Sequence, residues 1–284
     1  QIRHIHSPTQ QLHILRLTSM SLWNHLVCRP SLLKMHFKCR NSDVPYLNSS
    51  IKRFLVPDDK VAWSTEWPSY APVEYTDQSI VGKPWADTND LSLMRFNALD
   101  GKVNRKSHQV DYSFDLNGRP LNPMGRTGIS GRGILGRWGP NHAADPIVSR
   151  IKDGRLQFVA IQRKDTGEWA IPGGMVDPGE EVSATLKREF GEEALGGKNV
   201  EMDKVWKNGK RLYAGYVDDP RNTDHAWMET VVVNFHDYEA VMDDVTLEAA
   251  DDAVSVRWVF VDSNEPLYAS HKSFIDLLKT SINV

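Results

Sequence analysis

The stretch from residue 173 to residue 193 limits what this chain can fold into more than any other part of it. It reads GGMVDPGEEVSATLKREFGEE. A pair of glycines and a proline–glycine turn are followed by a run that contains neither glycine nor proline until Gly191, near its end. Asp177, Pro178 and Glu180 have the pattern of an N-cap, a first-turn proline and a capping-box acid, so we predict that a helix begins here. Its apolar face is formed by Val182, Leu186 and Phe190.

The same helix carries three glutamates on one surface. Glu189, Glu192 and Glu193 stand at positions i, i+3 and i+4, where side chains of a helix are neighbours. Like charges at this spacing destabilise a helix by a few tenths of a kcal/mol per pair, so a cation is expected to offset them. Magnesium is commonly shared between carboxylates and substrate phosphates. A solvated acidic face is the favoured interpretation of such a glutamate pattern by itself, but the glycine turn before the helix favours the metal site.

Strand-like segments surround this helix without repeating βαβ units. β-Branched and aromatic residues predict four strands, and Ser270 is a plausible N-cap for a second helix that runs to Leu278. We therefore predict an α+β fold, an α/β/α sandwich with a mixed sheet over residues 147–284. A smaller irregular domain over residues 51–146, rich in Trp, Pro, Tyr and Gly, precedes it. The four predicted strands are Leu156–Arg163, Leu212–Val217, Trp227–Phe235 and Val254–Val261.

The first 42 residues contain six Lys or Arg and no acid. This composition is typical of a mitochondrial presequence, so we interpret residues 1–50 as a basic leader, with a flexible linker and a cytoplasmic protein as the alternative. The formal net charge of −3 argues against a nucleic-acid partner, and no apolar run is long enough to span a membrane. Two cysteines, Cys28 and Cys39, exclude a disulfide scaffold and a cysteine zinc site.

The glycine turn, which contains Gly173 and Gly174, and the helix that follows it together resemble the box of the Nudix hydrolase family. That box has a glycine, then a glutamate, and then the pattern Arg-Glu-hydrophobe-any-Glu-Glu. This sequence departs from the box only at its final glycine, where it has Leu195, with Gly196 one place later. The positions in register are Gly174, Glu180, Arg188, Glu189, Phe190, Glu192 and Glu193.

The resemblance implies roles for these residues. The metal ligands would be the Gly173 carbonyl oxygen and the carboxylates of Glu189, Glu192 and Glu193, and the ion would be Mg²⁺, with Mn²⁺ as the alternative. Arg188 would orient the glutamates, and Glu180 would support them. The proton of the attacking water would go either to a box glutamate or to an acid of a later loop. The loop candidates are Glu248, Asp251 and Asp252.

Four more stretches resemble the ADP-ribose pyrophosphatases of animal mitochondria and the related domain of ADP-ribose-gated melastatin channels. They are residues 122–128, 139–146, 216–224 and 266–271. By this resemblance five side chains would line the substrate pocket, although each alone is equally compatible with a structural role. They are His142, Asp219, Arg221, Tyr268 and Ser270, and Asp224 is a further candidate for ribose hydroxyls.

The function implied is hydrolysis of the diphosphate of ADP-ribose to AMP and ribose 5-phosphate by a monomer that holds the ligand between its two domains. Two alternatives stay open, an ADP-ribose-sensing channel domain and a Nudix enzyme for another diphosphate, such as a dinucleotide or coenzyme A. Glu189 favours the enzyme, because the vertebrate channel domain resembled here lacks the acid at that position.

Overall fold

The computed structural model describes residues 36–198, 202–263 and 265–282. Within these ranges, no helix combines the length and the apolar character that crossing a membrane would require. The greater part of the predicted leader, residues 1–35, lies outside the described residues.

Residues 36–133 form mostly turns and short strands. Strand β1 (Val73–Thr76) pairs in parallel with β4 (Ile129–Gly133), and β2 (Leu99–Asp100) forms a small hairpin with β3 (Val103–Asn104). Short 3-10 turns lie at residues 38–40, 58–60 and 91–93. The irregular character predicted for residues 51–146 is therefore present up to the long strand that begins at Gly139.

The main body is a seven-stranded mixed sheet with the order β11-β6-β5-β10-β9, to which β7 and β8 add at β6 and β5. Strands β5 and β10 are parallel and the other pairs of this sheet are antiparallel. All four predicted strands are confirmed, with ends that differ by a few residues. Their bounds are β5 (Gly139–Lys152), β6 (Arg155–Arg163), β7 (Trp169–Ala170), β8 (Gly174–Met175), β9 (Gly209–Tyr216), β10 (Ala226–His236) and β11 (Ala253–Phe260).

Helices cover both faces of this sheet. Helix α1 (Val182–Ala194) and the short α2 (Asp203–Trp206) pack on one face, and α3 (His271–Ile282) packs on the other. Alternate residues of β5 enter the two cores, since Ile147 faces α3 and Val148 faces α1, as the two-residue period of a strand requires. The predicted α/β/α sandwich is confirmed. The predicted domain boundary at residue 146 falls inside β5, so the two predicted domains share a strand.

The start predicted for helix α1 is wrong by about one turn. The helix begins at Val182 after Glu181, which makes no side-chain cap, while residues 177–180 form a separate turn. Gly179 has a φ of +84°, a left-handed conformation that interrupts the helical path after Pro178. Leu186 and Phe190 are buried as predicted.

Buried arginines hold the irregular segment together. The Arg126 guanidinium donates to the backbone carbonyls of Lys60, Ala62 and Thr65 at 2.7–3.0 Å and lies 5.0–5.8 Å from the ring centres of three aromatic residues. A guanidinium has five donors in a rigid plane, so it can satisfy several carbonyls that no strand partner serves. The three aromatic residues are Trp63, Trp67 and Tyr70.

The end of the predicted leader is part of the folded body, which corrects our boundary at residue 50. Asp218 accepts hydrogen bonds from the backbone N–H groups of Phe37, Lys38 and Cys39 at 2.8–3.0 Å. The hydroxyl of the buried Tyr46 donates to the backbone carbonyl of Arg221 at 2.7 Å. Residues 36–50 are therefore packed against the loop that follows β9.

Candidate functional site

The glycine turn places the chain directly against the carboxylates of α1. A Cβ atom at Gly174 would lie 2.4 Å from the Glu189 carboxylate, and one at Gly173 would lie 2.2 Å from an oxygen of Asp145. The Gly173 N–H donates to Glu193 at 2.9 Å. Two glycines are needed here because only a backbone without side chains can approach these acids so closely.

Arg188 connects three glutamates. It donates to both carboxylate oxygens of Glu180 at 3.0 and 3.1 Å, and its Nη1 lies 2.9 Å from Glu189 and 3.0 Å from Glu192. These hydrogen bonds hold the pKa of Glu180 down at about 2. The predicted orienting role of Arg188 has the geometry that it needs, although the role itself stays a prediction.

Two of the three helix glutamates are buried. Glu189 and Glu193 expose 7% and 4% of their surface, whereas Glu192 is partly exposed. Burial raises the pKa of Glu189 to about 7 and that of Glu193 to about 8. Glu193 accepts a hydrogen bond from a backbone N–H, and among the described residues no ion pair compensates it. Buried carboxylates whose charge is not balanced by enough neighbouring cations are suited to bind a hard divalent ion such as Mg²⁺ or Mn²⁺.

The raised pKa values predict a pH-dependent stability of the metal-free protein. Because the folded state keeps protons on Glu189 and Glu193 that the unfolded chain releases near pH 4.5, stability should fall as pH rises from about 4.5 to about 8 and level off above. Thermal melts in a chelator across this range would measure it. Glu193→Gln should flatten the decline, and an equally steep decline in that variant would contradict the assignment.

The loop before β11 contains the three later acids, and they differ in position. The charge of Asp252 contributes to the raised pKa of Glu193, after burial and Glu189. Glu248 instead contacts the exit of α1, where its backbone N–H donates to the Ala194 carbonyl oxygen. Asp251 has a left-handed φ of +52°, and its side chain is exposed. Of the three, Asp252 has the position that suits a proton acceptor beside the cluster.

A cavity of about 1030 Å³ opens beside the glycine turn, and it is lined by both parts of the chain. Trp85 and Lys102 come from the irregular segment, while Glu180 belongs to the turn before α1. Two of the predicted substrate residues, His142 and Arg221, also line it. A cavity of this size can hold a nucleotide-sized ligand.

Asp219 and Arg221 form one unit. Arg221 donates to both Asp219 oxygens at 2.8 Å from its side chain, and its backbone N–H adds a third bond of 2.8 Å. Asp219 is nearly inaccessible, with a side-chain exposure of 2% against 28% for Arg221. The geometry therefore favours Arg221 as the group that meets a ligand and Asp219 as the group that orients it.

Asp224 does not have the role suggested for it. It is buried and accepts hydrogen bonds from the Thr127 N–H, the Thr127 hydroxyl and the Tyr70 hydroxyl at 2.7–2.8 Å. All of these donors belong to the irregular segment, so Asp224 ties that segment to the sandwich. The prediction that it accepts ribose hydroxyls is wrong for this reason.

Tyr268 and Ser270 stand apart from the large cavity. Tyr268 lines a smaller cavity of about 300 Å³, and burial raises its pKa to about 12. Ser270 immediately precedes α3 and is partly exposed. The structure therefore does not place these two side chains on the same wall as His142 and Arg221. Their predicted contact with substrate stays a prediction.

Arg163, at the end of β6, was missed by the sequence reasoning. Its guanidinium lies 4.5 Å from the centre of the Tyr268 ring, and its charge lowers the pKa of Glu193 and of Asp219. Its charge therefore acts on both the glutamate cluster and the Asp219–Arg221 unit, while its guanidinium pairs with Asp165. No local motif marks it, because the groups that it joins are distant in sequence.

Comparison with known proteins gives a consistent picture. A family model described as "NUDT9-like, N-terminal domain" matches residues 56–139, and one described as "NUDIX domain" matches residues 140–278. The chain is 61% identical over 254 residues to putative nudix hydrolase 6 of Caenorhabditis elegans, covering 87% of this chain and 98% of that protein. It is 52% identical over 273 residues to the mitochondrial ADP-ribose pyrophosphatase of Rattus norvegicus, covering 86% and 77%.

A much longer protein also contains a similar segment. The transient receptor potential cation channel subfamily M member-like 2 of Nematostella vectensis is 48% identical over 275 residues, which cover 86% of this chain and 18% of the channel. The similarity to the channel therefore concerns less than a fifth of its length.

Proposed function

The chain belongs to the Nudix family, and from that membership we propose that it hydrolyses the diphosphate of ADP-ribose to AMP and ribose 5-phosphate. The observation that carries the proposal is the glutamate cluster of α1. Arg188 contacts this cluster and also pairs with Glu180, which lines the large cavity together with Arg221. The rat relative, named an ADP-ribose pyrophosphatase, supports the choice of substrate.

The residues that would hold a divalent cation are the Gly173 carbonyl, Glu189, Glu192 and Glu193. Their oxygen ligands suit Mg²⁺, with Mn²⁺ as the alternative. A cation held by these residues would supply charge neutralisation of the diphosphate and activation of the attacking water. Arg188 already orients Glu189 and Glu192, and the Gly173 N–H orients Glu193, so these carboxylates would lose little freedom on binding the ion.

The remaining steps belong to side chains of the cavity and the loop. Arg221, oriented by Asp219, binds a phosphate or ribose oxygen and fixes the diphosphate against the cluster. Asp252 accepts the proton of the attacking water, since it is exposed and its charge is felt at Glu193. His142, which lines the same cavity, contacts the ligand.

The decisive experiment is product analysis with ADP-ribose, NADH and coenzyme A side by side in Mg²⁺. We expect AMP and ribose 5-phosphate from ADP-ribose, at a kcat/KM well above that for the other two compounds. Faster cleavage of NADH or coenzyme A would identify a Nudix enzyme for another diphosphate. Binding of ADP-ribose without turnover would instead support a sensor, as in a channel domain.

Arg221→Ala is expected to raise the KM for ADP-ribose more than it lowers kcat. A charge-assisted hydrogen bond contributes about 1.5 to 3 kcal/mol, which corresponds to roughly a 10- to 150-fold change. Steady-state kinetics would measure it, with Arg211→Ala, an exposed arginine of β9, as the control. An equal loss on ADP-ribose and on an unrelated diphosphate would show that Arg221 only supports the fold.

We also propose a mitochondrial location and a monomeric state. The acid-free composition of the first 42 residues supports the location, and the rat relative is named a mitochondrial enzyme. A reporter fused to residues 1–50 should enter mitochondria, and a reporter that stays in the cytosol would remove the proposal. Light scattering of the purified protein would test the monomer.

A further inference from the structure

A second group of metal-ligating side chains lies away from the glutamate cluster. His108, His142 and Glu229 each offer one ligand atom, and these atoms all lie within 4.8 Å of one another. Glu229 on β10 is in register with His142 on the parallel strand β5, so the two side chains leave the sheet on the same face. His108 comes from the loop after β3 and completes the group from the irregular segment.

The two imidazoles are spaced as the ligands of one ion would be. Nε2 of His108 and Nδ1 of His142 are 3.2 Å apart. A tetrahedral zinc ion with Zn–N bonds of about 2.0–2.1 Å separates two nitrogen ligands by roughly 3.3–3.4 Å. The observed distance also suits a simple hydrogen bond between neutral rings, so a further observation is needed to favour the ion.

Glu229 provides that observation. It is completely buried, yet no ion pair reaches it from any residue in the described ranges. Its oxygens accept hydrogen bonds from the Trp227 indole N–H at 2.9 Å and from the His108 backbone N–H at 2.7 Å. Buried charges are usually paired or coordinate metals, and outer hydrogen bonds of this kind orient a ligating carboxylate.

We propose that His108, His142 and Glu229 form a site for a first-row transition-metal ion of the zinc class, with one position open to the large cavity. Two nitrogens and one carboxylate suit such an ion, whereas Mg²⁺ prefers oxygen ligands alone. His108 and His142 both line the cavity. The ion therefore joins the loop after β3 to the central sheet and occupies the wall of the cavity, separately from the carboxylate cluster.

Cobalt absorption tests the site directly. Co²⁺ added to the tag-free, metal-stripped full chain in excess Mg²⁺, which fills the carboxylate cluster, should give the intense visible bands of tetrahedral cobalt. His108→Gln should weaken this binding at least about 100-fold, since loss of even an outer partner of a ligand costs 10- to 100-fold. Lys106→Gln, an exposed neighbour on the same loop, is the matched control and should bind cobalt like the wild type.

Thermal melts provide an independent measurement. Zn²⁺ in excess Mg²⁺ should raise the melting temperature of the wild type and of Lys106→Gln but not that of His108→Gln, because an ion that binds only the folded state stabilises it. His108 is exposed, so its replacement should leave the protein folded. Tetrahedral bands of equal strength in His108→Gln, or none in the wild type, would overturn the proposal and leave only a hydrogen bond between two imidazoles.

Discussion

Glu193→Gln should lower the turnover of ADP-ribose at least about 100-fold, roughly 2.7 kcal/mol of transition-state stabilisation. Glutamine keeps the shape of the side chain but removes the charge that would bind the cation. Glu193 is buried, and within the described residues its carboxylate accepts one hydrogen bond, from the Gly173 N–H, which an amide oxygen can also accept. The melting temperature of the metal-free variant should be equal or higher, because a buried carboxylate without an ion pair is lost.

Two companion variants make this expectation specific. Glu192→Gln, on the exposed side of the same cluster, should show a comparable loss of turnover. Glu66→Gln changes an exposed glutamate that does not line the large cavity, and it should retain most of the activity. Hydrolysis at the wild-type rate by both cluster variants in Mg²⁺ would refute the assigned metal site.

Asp218→Ala should destabilise the protein by about 3 kcal/mol or more, which is large against the usual total of 5–15 kcal/mol. The Asp218 carboxylate accepts hydrogen bonds from three backbone N–H groups of residues 37–39, and alanine leaves these groups without that partner in a partly buried place. Urea unfolding monitored by tryptophan fluorescence would measure the change.

The matching control is Asp43→Ala, an exposed acid of the same segment, which should unfold at the wild-type denaturant concentration. If Asp218→Ala also kept the wild-type midpoint, residues 36–50 would not be docked as the structure has them. The same experiment therefore tests our correction of the leader boundary.

The sheet and both long helices could be predicted because their signals are local. Alternating β-branched residues and an apolar stripe depend only on neighbours in the sequence, and they located β6, β10, β11 and α1 within a few residues. The first turn of α1 was the exception. The Asp177-Pro178 pattern does suit a helix start, but the left-handed Gly179 just after it stops the helix from forming there.

The site was predictable only where its residues share one segment. The spacing of Glu189, Glu192 and Glu193 marks them without any tertiary information. Asp224 was misassigned because its partners, Thr127 and Tyr70, are about 100 and 150 positions away, and polar residues look alike until such partners are known.

Arg163 and His108 were missed for the same reason. Each lacks a local motif, and each acquires its neighbours only when distant strands come together. His108, in particular, meets His142 and Glu229 through the pairing of β5 with β10.

Tyr46 restricts which residue can stand at position 133. Its hydroxyl donates to the Arg221 carbonyl oxygen and accepts from the Ile134 N–H at 3.1 Å, so it fixes the loop that presents Arg221. A Cβ atom at Gly133, whose φ is +56°, would lie 2.0 Å from that hydroxyl. A side chain at position 133 would therefore clash with the tyrosine, and the positive φ would strain it even beside a shorter residue. Related chains should retain glycine at this position wherever they have the tyrosine.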